Sequence, residues 1–364
     1  MKVIVLLQGG GSLGAFACGV WKALSSLLQQ RQAVLQGVAG SSIGSINAAV
    51  IARHHHQPDL GAGALESLWR DRLATPSFPF LGPALDVGPW AAAVPSASLR
   101  SWNGVLTGLL IGNRGLYQSV PAHWLPYAAF YRAKMPLLDR SRMMDTLEQV
   151  LGSYGSAPGG GPLLGVAAVD VMDGMLRLFD SDQQPILPLH LAASSAIPVM
   201  FAPVEIDGRL YWDGDMTRAS LVPLMLQRLR ETGRWRDDDE ETLVVSVEQM
   251  PRQSGAPPVA GLELATRMLE LLQVDKFVGD RETGSLRHQV LRIRREPLPH
   301  DGVSGHFDYS PERVDELIAE GERQAWEAWQ AHAASTAVHA EPAPPLPAAS
   351  RARKTGSRAA PRAR

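Results

Sequence analysis

The sequence predicts an α/β protein built around a parallel sheet, and three observations carry that prediction. An unbroken apolar run, Val3 to Leu7, is followed by Gln8 and three glycines, as expected for a strand buried on both faces. Leu13, Phe16, Ala17, Val20, Leu24, Leu27 and Leu28 then recur at helical spacing. A second apolar run, Val34–Ala39, leads through Ser42 straight into Ile43, Ile46, Asn47, Val50 and Ile51, another helical pattern. Strand, glycine turn, helix, strand, sharp turn, helix is how a parallel α/β sheet begins.

The remaining elements follow in order. Residues 54–131 are dense in Pro, Trp, Phe, Leu and Gly without clear periodicity, and residues 76–131 read as an apolar insertion or lid. Asp139–Gly152 is helical in pattern. Leu163–Val169 and Leu176–Phe179 form a strand pair around the turn signal Asp173-Gly174, and Val204–Ile206 with Arg209–Trp212 a second pair around Asp207-Gly208. Between the pairs, Leu187–Ala196 is a short helix stopped by Pro198. Thr242–Val247 and Val290–Ile293 are late strands, with a helix over Leu262–Val278 between them. Ser310 caps a last helix, Pro311–His332, with Pro at its first position. This divides the chain into a main domain over residues 3–226, a C-terminal α/β extension over 227–332, and an Ala/Pro/Arg-rich tail over 333–364 whose composition predicts disorder.

Composition excludes several classes. With 364 residues, 45% apolar and 20% charged, there is ample material for a core, and fibrous or wholly disordered chains are ruled out. Residues 351–364 hold six basic residues and no acid; the whole chain carries −2, so residues 1–350 carry −8. A mildly acidic body argues against nucleic-acid binding. The single cysteine, Cys18, excludes an internal disulfide framework and any Cys-based zinc site. MKVIVLL mimics a signal peptide but reads as a buried first strand, and no stretch reaches the roughly 18 apolar residues of a membrane span. The expectation is a soluble, cytoplasmic protein.

Three motifs carry chemistry. Gly9-Gly10-Gly11-Ser12-Leu13-Gly14 lies between strand and helix and fits G-x-G-x-x-G. A dinucleotide site would place an acidic residue at the end of the second strand, where Val38-Ala39-Gly40-Ser41-Ser42 has none, and no Lys-Ser/Thr completes a P-loop. The other use of such a turn is its backbone N–H groups, aimed with the helix N-terminus at negative charge, as an oxyanion hole requires. Gly40-Ser41-Ser42-Ile43-Gly44 is G-x-S-x-G in the strand-to-helix setting of a nucleophile elbow, with Ser41 and Ser45 as bystanders. A serine nucleophile needs a base. Among the histidines, His54–His56 read as a solvated loop and His190 as a helix residue, which leaves His300 and His306 as late candidates. The stronger candidate is a carboxylate in Tyr211-Trp212-Asp213-Gly214-Asp215, at the end of an apolar strand.

Together the motifs resemble the patatin-like phospholipase family of lipid acyl hydrolases: the glycine turn, G-x-S-x-G followed by Asn47-Ala48-Ala49, and an Asp-Gly motif, with Ala192–Pro198 like the family's apolar helix and Pro. The resemblance covers about residues 3–226 and extends more weakly to about 332. It implies a three-layer α/β/α sandwich with a mostly parallel central sheet, Ser42 as nucleophile and Asp213 as proton acceptor. It also implies an oxyanion hole from Gly9, Gly10, Gly11 and Gly14, and an elbow framed by Gly40 and Gly44. No cofactor and no metal are implied. Two departures stand out. Asp215 replaces the family's Gly or Ala, so that a second carboxylate either raises the pKa of Asp213 or turns to solvent. Thr217–Pro223 lacks the family's Asn, and Leu13 stands where many members have a basic residue.

Trp90, Trp102, Trp124, Tyr127 and Phe130 of the insertion suit an acyl-chain groove, an interfacial face, or simply a second apolar layer. The expected partner is a lipid or other acyl ester. The basic tail offers peripheral contact with anionic membranes at roughly 1 kcal/mol per charge, or is a solvated tail without a role. A catalytically silent interaction protein and a nucleotide-binding module through Gly9–Gly14 are the rival readings.

Overall fold

In a computed structural model, the structure describes residues 1–78, 96–120, 136–152, 161–236, 242–250, 264, 267–268, 270–271, 289–298, 301 and 306–339. Trp90, Trp124, Tyr127, Phe130, His300, most of residues 262–278 and the tail beyond residue 339 lie outside these residues.

The chain opens with β1 (Lys2–Leu7), a short 3-10 turn (Gly11–Leu13) and α1 (Gly14–Gln30), then β2 (Val34–Ser41) and α2 (Ile43–Arg53). The expected β-turn-α-β-turn-α start is all present. The described residues of 54–120, a stretch without periodicity, include α3 (Pro58–Ser67), a π-helical turn over Leu68–Leu73, α4 (Ser96–Leu110), β3 (Gly112–Asn113) and β4 (Tyr117–Ser119). β5 (Leu138–Asp139) joins β3 and β4 in a small antiparallel sheet, and α5 (Ser141–Leu151) follows. Next come β6 (Leu163–Asp170), β7 (Leu176–Asp180), α6 (Pro188–Ser194), β8 (Val204–Ile206), β9 (Arg209–Asp213) and α7 (Leu221–Glu231). β10 (Thr242–Glu248), β11 (Gln289–Arg294) and α8 (Pro311–His339) complete the described chain.

The main sheet runs β11-β10-β1-β2-β6-β9-β8, with β7 also paired to β6. β11, β10, β1, β2 and β6 are parallel, while β7, β9 and β8 are antiparallel additions. The alternation along β1 shows the layers. Val3, Val5 and Leu7 enter a core shared with α1, α2 and α8, while Ile4 and Leu6 enter one shared with Leu221, Val222, Met225, Leu226 and Leu229 of α7. A strand buried on both faces between two helical layers is a three-layer α/β/α sandwich.

Two boundaries differ from the sequence reading. The 227–332 extension is not a separate unit: β10 pairs with β1 in parallel, so the sheet is complete only with it. α8 runs to His339 through the start of the Ala-rich tail, because Ala333, Ala334 and Ala337 are strong helix formers. The 3-10 turn and α1 together, Gly11–Gln30, are apolar and long enough to cross a membrane by length and composition, although no unbroken apolar run of that length exists; 83% of that window is buried in the core. The packing of α1 against α8 is backbone-close: a Cβ on Gly19 would lie 1.9 Å from the Ile318 carbonyl oxygen, and one on Gly321 2.1 Å from that of Phe16.

Candidate active site

Ser42 sits between β2 and α2 with φ 53° and ψ −133°, a conformation that costs a non-glycine residue energy and persists only where its surroundings enforce it. The surroundings are visible. A Cβ on Gly40 would meet the Gly44 backbone at 2.4 Å, and one on Gly44 the Leu7 carbonyl oxygen at 2.5 Å. Only glycines let the turn fold back onto β1. The Ser42 amide donates to both the carbonyl and the hydroxyl oxygen of Ser194, each at 3.0 Å, and Ser45 Oγ donates to the Ser42 carbonyl at 2.6 Å. Ser45 is therefore part of the elbow's framework, not a bystander.

Asp213 ends β9 and is 1% exposed. Register places it beside Ser42: Ser41 pairs with Ala167 of β6 and Asp213 with the next residue, Ala168, on the same edge, while β7 holds the other edge. The two chain ends meet directly there: a Cβ on Gly214, which follows Asp213, would lie 3.0 Å from Ser41 Cβ. The end of α6 ties both together, since the Ser194 carbonyl also accepts from Gly214 N at 3.1 Å and Ala196 O accepts from Asp213 N at 3.0 Å.

Asp215 does not turn to solvent. It is 1% exposed, its amide donates to Asp213 Oδ1 at 2.8 Å, and its Oδ1 accepts from Ser41 Oγ at 2.5 Å. A Cβ on Gly9 would lie 2.0 Å from Asp215 Oδ2 and 2.5 Å from Ser42 Cβ, so those two atoms are no more than about 4.5 Å apart. Ser41, read as a bystander, is the partner of this second carboxylate.

In the glycine turn, Gly10 and Gly11 have φ 145° and 58°, accessible to glycine at little cost. Among the described residues the N–H groups of Gly9, Gly10 and Gly11 meet no acceptor, whereas Ser12 N donates to the His306 carbonyl and Leu13 N to that of Gly10. Gly14 differs from the expectation: its N–H turns back to Gly11 and Ser12 carbonyls and is no donor to an oxyanion. Its place is explained by packing, because a Cβ there would lie 2.7 Å from Ile43 Cγ2 and 2.8 Å from Trp69. Asn47 joins these parts, donating to Gly14 O and accepting from Trp69 Nε1, both at 3.0 Å.

Gly11 and Ser42 open onto a small, mostly apolar cavity of about 40 Å³, walled by Ile43, Ile46, Leu116, Tyr117, Met143, Ser195, Ile197, Phe201, His306, Phe307 and Tyr309. Leu116 and Tyr117 come from the insertion, and His306–Tyr309 from the C-terminal region. His306 therefore reaches the site, packed on the glycine turn; burial pushes its imidazole below the ordinary value and favours the neutral form. His190 instead closes its own helix, with Nδ1 accepting from Leu187 N at 2.9 Å. Arg140, which no motif flags, lies near Asp213. It donates to the carbonyls of Ala192 (2.6 Å) and Ala202 (3.1 Å) and covers the Phe201 ring. Burial lowers its pKa to about 10 while attraction to Asp213 opposes that fall. Among the described residues no cluster of three His, Cys, Asp or Glu side chains could hold a metal ion.

Comparison with known families decides the identity of this arrangement. The model described as patatin-like phospholipase matches residues 5–224. The chain belongs to that family. Patatin-like proteins are lipid acyl hydrolases, so the chain is of the lipid-hydrolase kind. Similar solved structures include VipD from Legionella pneumophila, at 15% identity and TM-score 0.39, over 91% of this chain and 67% of that one. The type III effector ExoU matches at 15% identity and TM-score 0.36, over 90% of this chain. ExoU in complex with SpcU from Pseudomonas aeruginosa matches at 16% and 0.30, over 91%. This patatin-like chain spans about half the length of the ExoU chains, 53% and 52%. No curated protein sequence matches it.

Proposed function

We propose that the protein is a serine acyl-ester hydrolase of lipids, of phospholipase A or lysophospholipase type, acting through a Ser42–Asp213 dyad and the Gly9–Gly11 turn. The observation that carries this reading is the strained Ser42 at the N-terminus of α2, facing an apolar cavity that Gly11 also lines, with the free amides of the turn alongside.

The chemistry follows from the parts. Ser42 Oγ attacks the ester carbonyl carbon and its proton passes to the Asp213 carboxylate. The carbonyl oxygen becomes an oxyanion, which the Gly10 and Gly11 N–H groups and the α2 N-terminus stabilise. Collapse expels the alcohol, which takes the proton from Asp213, and leaves an acyl-Ser42. Water then attacks that ester, giving a proton to Asp213; collapse releases the fatty acid and returns the proton to Ser42 Oγ. The apolar cavity holds the acyl chain and excludes competing water. A second assignment of the base, to Asp215, has one observation in its favour, the closeness of its Oδ2 to Ser42 Cβ.

The test is fluorophosphonate labelling together with turnover of short- and long-chain esters and of phospholipid vesicles, for wild type, Ser42→Ala and Asp213→Asn. Labelling and turnover in wild type, both lost in Ser42→Ala, is the expected outcome. Wild-type activity in Ser42→Ala overturns the mechanism. A well-folded wild type that neither labels nor hydrolyses any of these esters favours a silent interaction protein.

A further inference from the structure

We infer that Gln249 and His306, both outside the matched family domain, are positioning residues that aim the amides of the oxyanion turn. This rests on the hydrolase reading above, and the experiment below separates the two.

A turn of three glycines has no side chains with which to hold itself, and Gly10 and Gly11 occupy backbone regions where glycine is freest. An oxyanion hole nonetheless works only if its donors point correctly before reaction. The planar trans peptide supplies the lever: the C=O of one residue and the N–H of the next are fixed in opposite directions, so gripping the carbonyl aims the amide. Gln249 Nε2 donates to the Gln8 carbonyl and, at 3.3 Å, to that of Gly9. The peptide units it grips carry the Gly9 and Gly10 N–H groups. The His306 ring is buried against the same turn, and the Gly10 carbonyl favours its protonated form; that carbonyl's peptide unit carries the Gly11 N–H. The carbonyls behind the Gly9 and Gly10 amides are thus gripped by Gln249, and the Gly11 amide has the His306 backbone packed against its residue.

Both residues are themselves fixed. Gln249 N donates to Gln8 Oε1 at 2.8 Å, and Gln249 O accepts from Arg295 Nε at 2.9 Å; Arg295 is paired with Asp301. The His306 carbonyl accepts from Ser12 N at 3.0 Å, and a Cβ on Gly11 would lie 2.3 Å from that oxygen, so the two backbones touch. Gln249 directly follows β10, a neighbour of β1 in the sheet, and His306 leads into α8, which is seated on α1. The extension therefore reaches both ends of the turn through elements locked to those flanking it.

The experiment uses the full chain. Gln249→Glu keeps the shape but replaces the donor with an acceptor facing two carbonyls; His306→Ala removes the ring, and His306→Asn restores a donor. Gln249→Glu and His306→Ala should each lower kcat on a soluble ester about a hundredfold, the scale of losing one oxyanion donor. KM should change less than threefold, and His306→Asn should recover at least a tenth of wild-type kcat. Trp329→Ala, a contact of α8 remote from the turn, should lower the melting temperature while leaving kcat intact. Equal kcat in wild type and Gln249→Glu, or a His306→Ala loss that appears in KM alone, overturns the inference. If wild type hydrolyses no ester, the functional reading fails by itself. Amide hydrogen exchange over Gly9–Leu13 then still decides, because faster exchange in the variants supports positioning and unchanged exchange refutes it.

Discussion

Ser41 Oγ donates a 2.5 Å hydrogen bond to Asp215 Oδ1, and both groups are buried. The residue before Ser42 thereby holds the carboxylate that replaces the family's small third-motif residue. Asp215→Gly removes a charge next to Ser42 without touching Asp213. Ester turnover and fluorophosphonate labelling should be kept at or above the wild-type rate. The Ser41 hydroxyl, left buried without its partner, should lower stability by about 1–3 kcal/mol, and adding Ser41→Ala should return part of that loss. Turnover abolished in Asp215→Gly but retained in Asp213→Asn would move the base to Asp215. Both measurements need only purified variants, a chromogenic ester and a urea melt.

Arg140 tests the ionisation of the base. Attraction between its guanidinium and Asp213 acts on both groups, so the cation that Asp213 favours in turn favours the ionised carboxylate. Arg140→Gln removes that help and makes the carboxylate easier to protonate. The acid limb of the kcat/KM profile should move to higher pH, while the rate at the plateau should fall less than tenfold. Arg140→Lys should lie between the two, because an ammonium keeps the charge but not the fork that spans the Ala192 and Ala202 carbonyls. A profile for Arg140→Gln that overlays the wild type would remove Arg140 from any electrostatic role.

Asn47 is the structural keystone of the elbow. It is fully buried and bridges Gly14 at the base of the oxyanion turn to Trp69 of the insertion side. Asn47→Leu discards both hydrogen bonds and leaves a buried indole N–H and a carbonyl unpaired. The expected loss is about 2–4 kcal/mol of unfolding free energy, read from urea midpoints at constant m-value. Asn47→Asp, which still accepts from Trp69 but cannot donate to Gly14, should lose less than Asn47→Leu if the Trp69 bond matters most. A variant as stable as wild type would show that the bridge contributes nothing.

What the sequence disclosed about the site was local. The glycine turn, the elbow at Ser42 and the two Asp-Gly hairpins announce themselves within a few residues, because backbone geometry there demands particular residue types. Asp213 closes an apolar strand just after the second hairpin, where an ordinary turn aspartate is as common, and only the three motifs together single it out. The described residues of 54–120 show no readable period for a physical reason: α3 gives way to a π-helical turn over Leu68–Leu73, and β3 and β4 are only two and three residues long. Gln249 carried no signal at all. Its importance comes from β10 lying beside β1, a pairing 240 residues apart that no spacing within the sequence encodes. In sequence His306 is one histidine in a loop and a candidate base; in the fold its carbonyl accepts from Ser12 N, behind the turn. Asp215 was seen, but whether it faced solvent or Ser41 depended on the register of β9 against β6, which only tertiary structure sets.

The burial of His306 has a consequence for stability against pH. Glu270, Asp215 and the Gly10 carbonyl all favour the imidazolium, Arg295 disfavours it, and desolvation outweighs them so that the folded protein keeps the ring neutral. In the unfolded chain the same ring titrates near an ordinary value of about 6.5. Below that pH the unfolded state binds a proton that the folded state refuses, and stability falls as the solution is acidified. Above it the two states carry the same ring charge and the effect is absent. His54, His55, His190 and His332 are lowered by burial too, so the wild-type slope alone cannot identify His306. The difference between wild type and His306→Asn can, since the other four are common to both. Urea midpoints measured from pH 8 to pH 5 should fall more steeply for wild type than for His306→Asn, with the curves parallel above about pH 7 and converging below it. Parallel curves throughout would mean that the ring titrates freely in the folded protein, and that the buried, neutral imidazole behind the oxyanion turn is not what holds Gly10 in place.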